Sequence, residues 1–368
     1  MNLPKICFII PEYDRKTPTH FNYLYNFIKI ISEDLDVFLI VEKGGKPDIS
    51  LKNGKIFFAG GFAPWRLLKT KLLIFYARFL GYRDFYVHYS FFAAYIASCI
   101  TKIYGGRVFY WNCGLPWNYR RFFLRDWFER FVYKTVSFLV TGTEELKKEY
   151  ARHYGLPLEK IKVMPNWIDV ESVKSRAAGV KKDKLKANLD ISPDKKIILF
   201  AHRLSKRKGA HYLPEILRGL KNENIVLLVA GDGPERTDLE LKIKNDGLSD
   251  KARFLGWVPQ EKIAEYFAIS DLFLMPSEEE GFPHVILEAM AAEVPFLAFE
   301  VGGVKEIIPP QLSDFMALPG GINMIVSKAK ELIKKPPQEL NNIKSAEREW
   351  VKKFDISEVA DKFKKLLI

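Results

Sequence analysis

Short apolar runs of strand length alternate along this chain with longer stretches whose apolar residues recur every three to four positions. Residues 6–10, 37–41, 56–59, 85–88, 108–111, 136–140 and 162–164 read as strands. Between most of them the spacing is helical. Phe21, Leu24, Phe27, Ile28 and Ile31 share one face, and Thr19 is placed to cap that helix. A polar, Lys-rich stretch at 175–194 reads as a linker, after which the alternation restarts. Residues 197–201, 225–230, 253–255, 272–275 and 296–299 are the strands of this second set. Strands that are apolar on both faces and alternate with helices predict parallel sheets covered on both sides, and the restart predicts two α/β domains. A last helical pattern over 339–368 is interrupted near Asp355.

Composition changes this picture little; charge adds to it. The 368 residues, 48% hydrophobic and 28% charged, are enough for two domains of ordinary size. Three cysteines, Cys7, Cys99 and Cys113, are too few and too scattered for a disulfide framework or a metal site, so a reduced, cytoplasmic setting is expected. Residues 5–10 are strand-length and lack a leader's cleavage site, and no apolar run reaches ~18 residues. The net charge of +12 is uneven: residues 1–180 carry 27 Lys and Arg against 16 Asp and Glu, whereas 181–368 carry 30 against 29. A cationic first half suits an anionic partner. No nucleic-acid motif accompanies it, but residues 62–85 and 117–134 interleave Arg and Lys with Trp, Tyr and Phe, as an interfacial surface does. The expectation is peripheral attachment of the first domain to an anionic membrane face, with nucleic acid ranked below it.

The chemistry concentrates in residues 276–295, PSEEEGFPHVILEAMAAEVP. A strand over 272–275 ends at Pro276, three carboxylates and Gly281 follow, and Pro283 can open a helix running through 285–292. Such a helix N-terminus offers N–H groups and a positive dipole end to phosphate oxygens, and a carboxylate's two oxygens match the two hydroxyls of a vicinal diol. An acidic surface turn before a core helix explains Glu278 and Glu279 equally well. It does not explain Glu288, set between Leu287 and Ala289 in an apolar helix, where a carboxyl needs a partner. A second candidate is the cationic turn Arg203-Leu204-Ser205-Lys206-Arg207-Lys208-Gly209 at the end of the 197–201 strand, where open α/β sheets bind ligands. Arg and Lys there suit a pyrophosphate, although a solvated basic turn is common. Gly231-Asp232-Gly233 is a weak signal that a tight turn explains.

Glu280 and Glu288, in E-G-F-P-H-V-I-L-E, resemble the paired glutamates of the family 4 retaining glycosyltransferases, and Arg203 to Gly209 resembles that family's R-L-x-x-x-K-G. Met164-Pro165-Asn166-Trp167-Ile168-Asp169, Phe254-Leu255-Gly256-Trp257-Val258, Gly231-Asp232-Gly233-Pro234 and Gly302-Gly303-Val304-Lys305-Glu306 resemble further family segments in the same order. The resemblance implies a GT-B fold: two Rossmann-like doubly wound parallel-sheet domains facing a central cleft. It implies an acceptor-binding domain over 1–178, a nucleotide-sugar-binding domain over 179–345, and a final helix over 346–368 that crosses back to the first domain. It implies sugar transfer from a nucleotide-sugar to a glycan or lipid-linked acceptor, with no metal and no cofactor beyond the donor. Glu280, Arg203 and Lys208 then carry catalysis. Arg203 and Lys208 hold the pyrophosphate, Glu288 holds the ribose, and Gly281, Phe282, Pro283 and Val258 complete the donor contacts.

The first domain departs from the family. The loop after the first strand, PEYDRKTPTH, lacks the usual Gly pair, and Thr19 and His20 are the replacement candidates there. The family's His after a middle strand is absent; Tyr110-Trp111-Asn112-Cys113-Gly114 occupies its place, so Asn112 becomes the acceptor-side candidate. His88 reads as a core histidine. A sugar-nucleotide epimerase of the same fold is disfavoured by having only six His. A non-catalytic glycan- or lipid-binding protein is disfavoured by the intact Arg203, Lys208, Glu280 and Glu288.

Overall fold

The structure, a computed structural model, describes residues 3–13, 22–45 and 49–367. They form two compact units, Met1–Pro165 with Ile356–Ile368, and Asn166–Asp355. Unit 1 contains β1 (Lys5–Tyr13), α1 (Asn22–Ile31), β2 (Asp36–Gly44), β3 (Gly54–Phe58), α2 (Ala63–Phe79), β4 (Asp84–His88), α3 (Phe91–Tyr104), β5 (Arg107–Trp111), α4 (Phe123–Thr135), β6 (Phe138–Thr141), α5 (Glu144–Tyr154) and β7 (Ile161–Val163). Its seven strands lie in the order β3-β2-β1-β4-β5-β6-β7. Every pairing is parallel. Ile6 to Ile10 of β1 are fully buried, as a central strand covered by helices on both faces requires.

Unit 2 opens with α6 (Val170–Ala178) and α7 (Lys182–Asn188), and then alternates β8 (Lys196–Ala201), α8 (Leu213–Gly219), β9 (Ile225–Ala230), α9 (Arg236–Asn245), β10 (Ala252–Gly256), α10 (Gln260–Ala268), β11 (Leu272–Met275), α11 (His284–Ala291) and β12 (Phe296–Phe299). It closes with α12 (Val304–Ile307), β13 (Met316–Ala317), α13 (Ile322–Lys334) and α14 (Pro337–Val351). The parallel order is β10-β9-β8-β11-β12-β13. The final helix, α15 (Ile356–Leu367), belongs to unit 1. Its Phe363 packs on Phe8, Phe27 and Tyr86, and Lys364 pairs with Asp34 at 2.6 Å.

Strands β9, β11 and β12 coincide with the runs expected from their apolar sequence. The stretch 175–194 does not behave as a bare linker. It holds the end of α6 and all of α7, and it reads as polar because α6 buries only Val170 and α7 buries none of its residues. Strand β13, two residues long, carries too little pattern to be read. No helix among the described residues is long and apolar enough to cross a membrane.

One buried group in unit 2 conflicts with its surroundings. Glu347 of α14 lies fully buried on the same face as Ile343 and Val351, and neither carboxyl oxygen accepts a hydrogen bond among the described residues. Burial pushes its carboxyl well above the usual range, with Glu293 adding to the rise and Lys344 opposing it. An acid whose folded pKa is raised costs stability as pH climbs above its unfolded value. Glu347→Leu is therefore expected to stabilise the protein at about pH 8 by on the order of 1–3 kcal/mol, and by less at about pH 5. Denaturant unfolding at the two pH values checks this; a loss of stability at pH 8 would show that the carboxyl is satisfied.

Candidate functional site

Three loops of unit 2, each leaving the C-terminal end of a strand, carry the candidate residues: 202–209 after β8, 276–283 after β11 and 300–303 after β12. Neighbouring parallel strands place their C-terminal ends side by side, which is where such sheets bind ligands. Glycines bring the loops into backbone contact. Gly209 has a φ of +68°, and a Cβ there would lie 1.7 Å from the carbonyl oxygen of Pro276. Gly302 has a φ of +51°, and a Cβ there would lie 1.8 Å from the carbonyl oxygen of Glu280. Only glycine permits both approaches. The N–H of Glu278 donates to the carbonyl of Arg207 at 3.0 Å, which continues the lacing.

This lacing puts Lys208 against Glu280. Both are buried, and Lys208 Nζ donates to Glu280 Oε1 at 2.7 Å. His202 Nε2 lies 3.3 Å from the same oxygen. The N–H of Arg203 donates to His202 Nδ1 at 2.9 Å, so a neutral His202 carries its hydrogen on Nε2, toward Glu280. Burial alone would raise the Glu280 carboxyl. Lys208 and His202 together outweigh it and hold the group far below the usual carboxylate range. Glu280 is thus ionised at any physiological pH. His202 is the residue the sequence reading missed; its only signal was a place at a strand end beside Arg203.

Glu288 has the opposite surroundings. It sits in α11, half-buried, and desolvation pushes its carboxyl up to about 7, against a hydrogen bond with Gln260 that lowers it. Gln260 opens α10, just after Val258, which is half-buried in the loop following β10. Helix α11 begins at His284, with Pro283 as its cap rather than its first residue. The first-turn N–H groups of α11 have no acceptor within the helix. Phe282 faces inward, its ring 5.8 Å from that of Phe354, and its carbonyl accepts from Asn166 Nδ2 at 3.1 Å. Gly281 links the two settings.

The remaining charges sort themselves. Arg203 is exposed. Glu278 and Glu279 are more than a surface turn: Tyr212 donates to Glu278 at 2.8 Å, and Arg207 pairs with Glu279 at 3.6 Å. In unit 1, Asn112 is buried; its Nδ2 donates to Tyr133 at 2.9 Å and its Oδ1 accepts from the N–H of Gly114 at 2.9 Å. The side chain holds its own loop. Thr19 and His20 lie outside the described residues. His88 is fully buried and stacked on Trp111, with ring centroids 4.1 Å apart.

Residues 181–350, which include Arg203, Lys208, Glu280 and Glu288, match the family described as glycosyl transferases group 1. The 2-deoxystreptamine glucosyltransferase of Streptomyces kanamyceticus is 27% identical over 61% of this chain and 58% of its own length. The N-acetyl-alpha-D-glucosaminyl L-malate synthase of Bacillus anthracis is 32% identical over 53% of this chain and 48% of its own. The chain spans about half the length of the relatives it matches by sequence. Among solved structures, the Anabaena protein HepE in complex with UDP and glucose superposes with a TM-score of 0.77 at 20% identity, covering 99% of both chains. Sucrose-phosphate synthase from Thermosynechococcus elongatus gives 0.78 at 18%, covering 99% of this chain and 98% of its own. The fold is GT-B, and the likeness to the group 1 glycosyltransferases lies in residues 181–350.

The buried pair sets a stability test. A carboxylate whose folded pKa is depressed contributes stability above its unfolded value, near 4.3, and loses it as pH falls toward the folded one. Lys208→Met leaves Glu280 buried without its main partner and is expected to cost about 3–5 kcal/mol at neutral pH, with the deficit shrinking as the medium is acidified below about 4. Urea unfolding across pH measures it; a deficit independent of pH would mean that lost packing, not the ion pair, is responsible.

Proposed function

We propose that this protein is a retaining, metal-independent glycosyltransferase. It moves a sugar from a nucleotide-sugar to a glycan or lipid-linked acceptor, in the assembly of surface polysaccharide, glycolipid or protein-linked glycan, and works peripherally at the cytoplasmic face of an anionic membrane. The observation that carries this reading is the pairing of an always-ionised Glu280 on Lys208 with a near-neutral Glu288 in α11, both at the C-terminal edge of one parallel sheet. The group 1 match over these residues and the UDP-bound relative of the same fold support it.

The roles follow from chemistry. The donor's pyrophosphate takes the exposed Arg203 fork, a share of the Lys208 ammonium and the first-turn N–H groups of α11. Glu288, once ionised, accepts from both ribose hydroxyls, beside Val258 and the Gly281-Phe282-Pro283 turn. Glu280 faces the sugar. Transfer breaks the bond between the anomeric carbon and the phosphate oxygen and forms one to the acceptor oxygen on the same face. The acceptor's proton passes to the departing phosphate. Fixed cations stabilise the charge that gathers on the leaving group, which is the work a metal would otherwise do.

Two outcomes are expected. In calorimetry with a panel of nucleoside diphosphates, one of them binds, and its affinity rises as pH crosses about 7, because Glu288 must ionise. Glu288→Gln flattens this profile, and Glu288→Ala weakens binding by about tenfold or more. Unchanged affinity in a folded Glu288→Ala protein removes Glu288 from the site. With a donor identified, turnover persists in EDTA and the product keeps the donor's anomeric configuration, read by NMR. Activity lost on chelation and restored by Mg²⁺ would overturn metal independence.

A further inference from the structure

We propose that unit 1 docks on an anionic lipid bilayer through the outward stripes of two particular helices, α2 and α4. This deepens the membrane part of the reading above and stands apart from its catalytic part. Both helices have their amphipathic order reversed. In an ordinary surface helix the large apolar residues face the core. Helix α2 buries only Thr70, Ile74 and Ala77. Leu68, Leu72, Phe75 and Phe79, at spacings of four, three and four, all face solvent, and Phe79 is 86% exposed. Helix α4 buries Glu129, Val132 and Tyr133, while Phe123, Trp127 and Phe131 line its outer side at four-residue spacing, the first two 69% and 62% exposed. The rings of Trp127 and Phe131 stack. Helix α3 packs against both α2 and α4 and adds exposed Ile103 and Tyr104 at its end. Soluble surfaces rarely expose so many large apolar side chains along one row of packed helices unless something covers them.

Charge selects the cover. Residues 62–135 carry 12 Lys and Arg against three acidic residues, Asp84, Asp126 and Glu129. Each of the three is already paired, with Arg107, Arg130 and Arg121 respectively. The cations left over, among them Lys69, Lys71, Arg125 and Lys134, flank the apolar stripes. A second copy of this chain would set two such cationic faces against each other. A nucleic acid has no use for Leu72, Phe75 and Phe79. An anionic bilayer meets both features: its headgroups take the cations and its interface takes Trp and Phe. Since no described helix spans a membrane, these helices lie in the interfacial plane.

Co-sedimentation of the full chain with vesicles tests this, without donor or acceptor. The protein is expected to pellet with phosphatidylcholine–phosphatidylglycerol vesicles and not with phosphatidylcholine alone, and binding should fall as salt is raised. A Leu72→Gln/Phe75→Gln/Phe79→Gln variant and a Phe123→Ser/Trp127→Ser variant should each bind about tenfold or more weakly, since their side chains supply the inserted area. Lys71→Glu/Arg125→Glu should weaken binding and flatten its salt dependence. Arg121 is left intact because it pairs with buried Glu129. Equal binding to both vesicles, binding to neither at low salt, or variants that bind as the wild type does would overturn the proposal. So would a concentration-dependent dimer, seen by sedimentation without lipid binding and abolished by the α2 substitutions. If a variant fails to fold, the wild-type contrast between the two vesicles still decides. Nucleoside-diphosphate binding measured on the same preparations reports on unit 2 separately, so loss of one reading is not loss of the other.

Discussion

The buried contact between Lys208 and Glu280 is the constraint around which unit 2 arranges its sheet edge. A carboxylate this deeply buried and left alone would cost several kcal/mol, or would take up a proton and lose its charge. It stays ionised because Lys208 and His202 converge on one of its oxygens. That convergence needs three loops from three strands to sit closer than side chains allow. Gly209 rests against the Pro276 carbonyl, and Gly302 against the carbonyl of Glu280 itself. The glycines, the ion pair and the strand order β8-β11-β12 therefore act together at this edge of the sheet.

The same arrangement separates two carboxyls that are alike in chemistry and near in sequence. Glu280 lies where cations overwhelm desolvation; Glu288 lies where a neutral amide, Gln260, is the partner and desolvation wins. One group is an acceptor at every physiological pH, and the other changes protonation near neutrality. Carboxyls pushed apart in this way are the pattern that sites with divided roles share. Structural ion pairs also shift carboxyls, but they do not account for an acid in α11 held close to its titration point beside a helix N-terminus.

What was legible in the sequence follows from burial. Strands β9, β11 and β12 are apolar on both faces and short, so their ends could be read to the residue, and the paired glutamates could be placed after β11 and within α11. The end of α6 and all of α7 read as a linker because polarity marks exposure, and an exposed helix is as polar as a loop. His202 was passed over because its role depends on Glu280, which lies 78 positions away in sequence and meets it only across the sheet edge. The charge on Glu278 and Glu279 points to a surface turn, and Glu278 is exposed there; in addition Glu279 pairs with Arg207 of the basic loop, and Glu278 accepts from Tyr212 just beyond it.

In unit 1 the periodicity of residues 117–134 announced an amphipathic helix but not which side would be inside. The buried side of α4 is decided by polar groups. Tyr133 donates to Glu129 at 2.6 Å, Arg121 pairs with the other carboxyl oxygen, Asn112 donates to Tyr133, and Tyr150 donates to the carbonyl of Gly114 at 2.9 Å. Burial pushes the Glu129 carboxyl up, while Tyr133 and Arg121 pull it back. Turning α4 about its axis to bury Trp127 would strip these groups of their partners. A buried polar network that loses one member is worse than none, because each orphaned group then bears its full desolvation cost. The network therefore fixes the rotation of α4 and obliges Phe123, Trp127 and Phe131 to face outward. It also ties that outward face to the 112–114 loop at the end of β5, so whatever settles on the one bears on the position of the other.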